Sequence, residues 1–347
     1  MITPDIHSQI AVAVALLKAG GTVAFPTETV YGLGADVSNA SAVQRIFEIK
    51  KRPATHPVIV HFAEPSQLNH WAQEIPKQAW QLAERFWPGP LTLILPRRHH
   101  IPKNVTGGQD TVGLRVPDHP VALALLNALG HEGALAAPSA NRFGHVSPTT
   151  AAHVHEELGD AVDMILDGGA CRVGLESTIV GFNDQTAIVL RPGGIPLEAL
   201  AEVLHGHVVF ADRKDHVVRV SGSLASHYAP ATPLELCSTE ALWRRALELE
   251  AKGLRVVIME RSTQNLSRPE NKNVFRFFMP REPDVYGSLL YATLRRFDQE
   301  RFDCLLIEEP PDESAWMAIA DRLQRASCVP GCEIQTNDYD TALAARE

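Results

Sequence analysis

Short apolar runs that stop at proline or glycine and pass into polar loops recur along the first two hundred residues, and they narrow the possible folds more than any other feature. TVAFP, PVIVHF, LTLILP, TVGLRVP, GALAAPSAN, MILDGG, STIVGF and AIVLRPGG have the length and the apolar, often β-branched content of buried strands. Helix-like segments lie between them. SQIAVAVALLKAGG stops at Gly20 and Gly21, and Ser38 or Asn39 can cap a helix whose apolar face carries Val43, Ile46 and Phe47 and which ends before Pro53. SPTTAAHVHEEL reads as a helix with Ser147 as cap and Pro148 at its first position. Such alternation predicts an α/β fold, a twisted mixed sheet with helices on its faces.

The texture changes near residue 210. ADRKDHVVRVSGSLASHYAPATP holds no sustained period and is broken by glycine and proline, which marks a linker. Beyond it LEL, RVVIM, VFRFF and CLLIEE read as strands, with helices over 240–251, 284–297 and 313–325. A chain of 347 residues exceeds the usual size of one core. The predicted division is therefore 1–210, a linker and lid over 211–231, and a smaller α/β unit over 232–347 whose tail, QTNDYDTALAARE, is expected to fray.

Several function classes are excluded early. With 41 acidic against 32 basic residues the net charge is −9, which opposes indiscriminate attraction to a phosphate backbone. No apolar run approaches the roughly 20 residues of a membrane span, and MITPDIHSQ lacks signal-peptide character, so a cytoplasmic location is expected. Five cysteines form no Cys-x-x-Cys pair, and the near-pair CVPGC has no second pair to complete a zinc site. P-loop, dinucleotide-fingerprint, nucleophile-elbow and zincin motifs are all missing.

What remains is a set of cations and hydroxyls at strand ends: Thr27, Thr29, Lys50 to Arg52, His56, His61, Thr111, Arg115, Ser139, Asn141, Ser147, Glu176 to Thr178, and Arg191. In TVGLRVP, Val112, Leu114 and Val116 alternate with Arg115, which is thereby aimed at the opposite face. Taken singly, Lys50 to Arg52 could answer a helix dipole, and Ser139 and Asn141 could satisfy their own turn. As a set they are what a polyphosphate needs, because charged donors neutralise its oxygens while hydroxyls position them. A nucleotide is the expected ligand.

The string PTETVYGLG (26–34), then KKRP with HPVIVHF (50–62), WPGPLT (87–92), DTVGLRVPDHP (110–120), APSAN (137–141), SPT (147–149), ESTIV (176–180) and LRPG (190–193), in that order, closely resembles the Sua5/YrdC family of threonylcarbamoyl-AMP synthases over about residues 8–205. HYAP (227–230) and the unit after it resemble the longer, two-domain Sua5 form. The resemblance implies a YrdC-like N-terminal sheet, a Rossmann-like C-terminal domain, and an adenylyl transfer. In that reaction L-threonine, bicarbonate or CO2, and ATP give threonylcarbamoyl-AMP and pyrophosphate, the first step toward N6-threonylcarbamoyladenosine in tRNA. It further implies that Thr29, His61, Arg115, Ala137 through its backbone, and Ser177 hold threonine. Arg52, His56, Thr111, Ser139, Ser147, Arg191 and Tyr228 would hold ATP. Lys50 and Asn141, with Arg52 and Ser139, match the family's Lys-x-Arg and Ser-x-Asn signature around the phosphates.

By the same resemblance Mg2+ would bridge the phosphates through ATP oxygens and water rather than through protein ligands. The downstream tRNA threonylcarbamoyl transferase machinery would collect the product, with direct tRNA binding left open. Tyr228 in the ATP set implies that the linker folds back as a lid. This chain has Val220, Ser221, Gly222 and Ser223 where many members have Ser-Pro-Gly-Met, and loss of that proline is expected to loosen the lid. Rival readings are an RNA-binding module, which the net charge opposes, and a relative acting on carbamoyl phosphate, whose usual extra domains are missing.

Overall fold

The apolar runs form strands that order side by side in the computed structural model, which describes residues 4–183, 186–211, 218–222, 228–261 and 272–327. Cys328, Cys332, Ser223, His227 and the tail expected to fray lie outside these described residues. The strands are β1 (Val23–Phe25), β2 (Gly32–Asp36), β3 (Ile59–His61), β4 (Leu91–Pro96), β5 (Thr111–Arg115), β6 (Leu135–Ala136), β7 (Met164–Ile165), β8 (Thr178–Asn183), β9 (Thr186–Arg191) and β10 (Val208–Phe210). They make one sheet in the order β10-β9-β8-β4-β5-β3-β6-β2-β1-β7. It is mixed: β3 pairs parallel with β5 but antiparallel with β6, and β4 pairs antiparallel with β5 but parallel with β8.

Helices α1 (Pro4–Lys18), α2 (Ala40–Lys50), α3 (Leu68–Trp71), α4 (Lys77–Phe86), α5 (Pro120–Ala128), α6 (Ala151–Leu158) and α7 (Leu197–Val203) accompany this sheet. One core joins Phe62, Trp71, Leu82, Leu93 and Leu114, and another joins Leu17, Phe25, Leu125 and Leu135. Asn39, not Ser38, caps α2: its Oδ1 accepts from Ser41 N at 3.1 Å and Ala42 N at 3.0 Å. Ser147 is not the cap of α6. Pro148 O accepts the Tyr31 amide at 2.9 Å, which holds that stretch in line with the sheet, so the helix starts later and Thr150 Oγ1 accepts from His153 N at 3.2 Å.

A second, parallel sheet has the order β11 (Leu234–Cys237), β14 (Cys304–Glu308), β12 (Val256–Glu260), β13 (Val274–Phe278). It packs with α8 (Thr239–Glu250), α9 (Pro283–Gln299) and α10 (Met317–Ala326). The all-parallel arrangement agrees with the Rossmann-like expectation, and the fold class is a mixed α/β one. The two units share an apolar cluster: Val30, Val146, Leu175 and Tyr228 pack with Tyr286, Tyr291, Trp316 and Ile319. Among the described residues no helix is long and apolar enough to cross a membrane.

The contact between the units is tightest at Gly174, whose φ is +73 and where an added Cβ would lie 2.6 Å from Ser288 Cα in α9. A methyl there both strains a left-handed backbone and presses on main chain that cannot rotate away. Gly174→Ala is expected to destabilise the chain by about 2 kcal/mol or more, read as a fall in the urea midpoint. An unchanged midpoint would show that the contact is loose.

Candidate active site

Strand register gathers the site. In the parallel β3–β5 pair His61 stands opposite Arg115, and Gly32 at the start of β2 bridges to Ser139 after β6. A cleft of about 540 Å3, open to solvent, results; its lining includes Thr29, Arg52, His61, Arg115, Ser139 and Arg191. Ala137, Ser177 and Tyr228 also line it. Thr111 instead lines an adjoining groove with Pro57, Ile59, Ile94 and Gly113, over which Arg219 to Ser221 lie. His56 packs edge-on against Phe143 at 5.3 Å.

The opening PTET segment is organised by its own hydroxyls. Thr27 Oγ1 donates to Val30 O at 2.6 Å and lies 2.8 Å from Thr29 Oγ1. Arg115 Nη2 donates to Thr29 Oγ1 at 2.8 Å and pairs with Glu28 Oε1 at 2.7 Å. Arg115 is thus a neutralised cation that aims a threonine hydroxyl. Its neighbour His61 is buried, and burial first, then Arg115, pushes its pKa down to about 3. Burial favours the neutral ring, and among the described residues its Nδ1 has no hydrogen-bond partner of ordinary geometry. Ala137 donates its amide to Ile59 O at 2.8 Å, which leaves its carbonyl as the backbone group for a ligand.

Arg52 and Arg191 differ from Arg115. They are 7% and 4% exposed, and among the described residues neither has a carboxylate partner. Arg191 donates to Ser177 O at 2.8 Å, Ser177 Oγ at 3.2 Å and Ser221 O at 2.9 Å; Arg52 donates to Pro57 O at 2.8 Å. Burial pushes the Arg52 pKa down to about 10, and Arg191 adds to that. Two buried cations that answer only to neutral oxygens form a receptive place for an anion.

Lys50 does not line the cleft. α2 ends at Lys51 in a left-handed cap (φ 52), so the chain reverses and Lys50 stays on the buried side. Its Nζ donates to Ser139 O at 2.6 Å and to Asn141 O, while burial holds its pKa well below the usual lysine value. Asn141 Nδ2 in turn donates to Arg142 O at 2.7 Å and His145 O at 2.9 Å. These two residues hold the Ser139 loop from behind. Ser147, read from sequence for ATP, donates to Glu176 Oε1 at 2.7 Å.

Residues 218–222 of the linker lie beside the cleft. Ser221 Oγ donates to Pro57 O at 2.8 Å, and the Arg219 backbone exchanges bonds of 2.7 and 3.0 Å with the Gln109 side chain. Residues 218–222 are therefore bonded to the N-terminal unit through Pro57 and Gln109. Tyr228 is buried at φ 61. The sequence reading noted Glu176 and Thr27 but gave them no role, and it missed Glu28, Tyr291 and Arg322.

Fold and cleft together define a two-unit α/β protein with a buried anion-receptive site. The family description for Sua5, YciO and YrdC, "Telomere recombination", matches residues 15–193, and "Threonylcarbamoyl-AMP synthase, C-terminal domain" matches 195–328. The threonylcarbamoyl-AMP synthase of Pyrococcus abyssi is 37% identical over 328 residues, with 92% of this chain and 94% of the relative covered. That of Bacillus subtilis is 40% identical, with 92% and 93% covered. A crystal structure of P. abyssi Sua5 complexed with L-threonine superposes with a TM-score of 0.83 at 36% identity, covering 92% of this chain and 94% of that one. The chain belongs to the Sua5/YrdC family, in its two-domain form.

Glu176 makes the site acid-sensitive. Burial opposes its charge, but Arg322, Arg191 and the bonds from Arg322 and Ser147 hold its pKa at about 2 against an ordinary 4.5. Because the folded value is the lower one, its stabilisation is complete above the unfolded pKa and is lost as pH falls toward the folded one. Unfolding free energy should drop by on the order of 3 kcal/mol from this group as pH falls from about 4.5 to about 2. Glu157, held at about 2 chiefly by His145 and Arg295 against burial, titrates in the same window. Urea unfolding of Glu176→Gln beside the unmodified chain isolates the Glu176 share, and equal slopes in the two would overturn the assignment.

Proposed function

We propose that this chain is an L-threonylcarbamoyladenylate synthase: it condenses L-threonine, bicarbonate or CO2, and ATP to threonylcarbamoyl-AMP and pyrophosphate. The observation that carries this reading is the pair of buried guanidinium groups, Arg52 and Arg191, without carboxylate partners among the described residues, beside a wall built from Thr29, His61 and Arg115. The names of the relatives, and the L-threonine bound in P. abyssi Sua5, support the choice of substrates.

The chemistry suits such a wall. Threonine's amine combines with CO2 to give a carbamate; a carbamate oxygen then bonds to the α-phosphorus of ATP as the bond to pyrophosphate breaks. The nucleophile comes with the substrate, so the protein's task is to align it, exclude water and neutralise charge as it builds on the phosphates. Thr29, Ser177, the Ala137 carbonyl and the neutral His61, whose Nδ1 can accept from the amine or hydroxyl, would hold threonine. Arg115 would set the Thr29 hydroxyl. Arg52, Arg191 and Ser139 would face the phosphates, Lys50 and Asn141 would fix the Ser139 loop, and Ser147 would act through Glu176. Thr111 and His56 would lie toward the nucleoside.

Among the described residues no cluster of His, Cys, Asp or Glu has the makings of a metal site, and Glu176 is already engaged by Ser147, Tyr291 and Arg322. The cleft does not itself form a Mg2+ cage; Mg2+ would arrive on the oxygens of ATP and offset their charge. We further propose the division 1–210, 211–231 and 232–347, with Val220 to Gly222 and Tyr228 as the lid. The labile product would pass to tRNA threonylcarbamoyl transferase machinery.

The test is incubation with ATP, bicarbonate and labelled threonine. Pyrophosphate should form only when threonine and bicarbonate are both present; structured-RNA binding without any ATP consumption would overturn the reading. Arg52→Ala should lower turnover by about 100-fold, the loss typical of removing a group that stabilises transition-state charge. Near-normal turnover would remove Arg52 from that role.

A further inference from the structure

We infer that Arg322, on α10 of the second unit, is a positioning residue for the phosphate end of the cleft: by holding Glu176 it prevents that carboxylate from pairing with Arg191. The inference rests on the proposed reading, in which Arg191 meets the phosphates.

Glu176 lines the cleft, and its two oxygens are fully engaged from the other side. Oε2 accepts from Arg322 Nε at 2.8 Å and from the Tyr291 hydroxyl at 2.9 Å, while Oε1 accepts from Ser147 Oγ at 2.7 Å. Arg322 is 1% exposed. It also donates to Pro192 O at 3.0 Å, one residue beyond Arg191, and pairs with Asp321 at 2.5 Å. Its guanidinium lies 5.0 Å from the centre of the Tyr228 ring, which stacks on Tyr291 at 5.9 Å. Three side chains of the second unit, Tyr291, Asp321 and Arg322, thus form the back of a wall whose front is the cleft.

Arg191 hydrogen-bonds to Ser177, the residue next to Glu176, which brings this carboxylate into its surroundings. The two groups attract one another even in the present arrangement. In a buried site a carboxylate released from Arg322 would turn to the remaining cation. Such a pair would remove one of the two guanidinium groups available to phosphate and leave a negative charge committed beside the triphosphate. Arg322, with Tyr291 and Ser147, satisfies Glu176 and keeps Arg191 bonded only to neutral oxygens. The second unit therefore supplies part of the charge balance that the nucleotide needs, without touching it.

The experiment measures ATP and L-threonine dissociation constants separately on the full chain and on folded Arg322→Lys, Arg322→Met, and Arg322→Met combined with Glu176→Gln. Arg322→Met should weaken ATP binding about tenfold or more, with threonine binding changed less than about threefold, the loss of one charge-assisted contact. Arg322→Lys should retain ATP binding, and the double variant should regain most of it, because a neutral amide does not capture Arg191. A folded Arg322→Met with unchanged ATP binding, or with both ligands weakened alike, would overturn the proposal; the second result is what a merely structural role gives. Should Arg322→Met not fold, Tyr291→Phe removes one donor from Glu176 and no charge: weaker ATP binding with threonine unchanged supports the proposal, and equal affinities overturn it. Binding is read without turnover, so failure here is distinct from failure of the unmodified chain to release pyrophosphate.

Discussion

Two arginines buried within reach of the same serine, with no carboxylate on either among the described residues, are the constraint around which the rest of this structure is arranged. Arg52 and Arg191 both contact Ser221, one through its hydroxyl and one through its carbonyl. Burying like charges together is unfavourable, and neutral oxygens repay only part of that. Such an arrangement persists where the surrounding fold over-determines it and a ligand supplies the missing charge. The third guanidinium in the cleft shows the contrast: Arg115 has its carboxylate, Glu28, three residues beyond the end of β1. One cleft therefore has a neutral end and a cationic end, which suits an amino acid beside a triphosphate.

The turn between β1 and β2 explains the sequence that builds the neutral end. Thr27 and Thr29 satisfy one another and the local backbone, so the segment needs no regular pairing to hold its shape. Glycine follows because β2 runs against the Phe25 ring: an added Cβ at Gly34 would lie 2.9 Å from it. The bare backbone brings β2 close to β1, and the bridge from Gly32 to Ser139 then joins the Thr29 side of the cleft to the Ser139 loop.

Much of this was legible in the chain itself, because strands buried on both faces must be apolar and must end where polar residues begin. Leu91–Pro96 and Cys304–Glu308 form over the runs that predict them, and Arg115 leaves its strand on the face opposite to Val112 and Leu114. Lys50 was not legible. Whether a lysine at a helix end meets solvent, a phosphate or two carbonyls depends on what packs there, and Ser139 and Asn141 come from about ninety residues away. Ser147 was misread as a cap because serine before proline imitates a helix start, whereas pairing with Tyr31 keeps that stretch extended. Arg322 left a readable trace: it falls between Ile319 and Leu323, with Ala326 one turn on, so a cation occupies the apolar face of α10. An arginine in that position must find a buried partner, though the partner, 146 residues away, has no local signature.

The lid completes the charge argument. Ser221 offers Arg191 a carbonyl and Arg52 a hydroxyl, and Val220 is buried beside the groove that holds Thr111. A neutral oxygen gives a buried guanidinium roughly half the strength of an ionised one, and Arg52 Nε has no hydrogen-bond partner among the described residues. A triphosphate can displace such neutral oxygens without first breaking an ion pair, so its binding energy goes into charge neutralisation rather than competition. An aspartate or glutamate at position 221 would satisfy the two arginines better and bind ATP worse. The small, uncharged Ser221 and the glycine after it, whose left-handed backbone lets the Tyr228 hydroxyl approach, close the cleft while leaving the cationic end unpaired. In the proposed reading, closure of that kind would keep water from the carbamate and leave the two arginines open to phosphate.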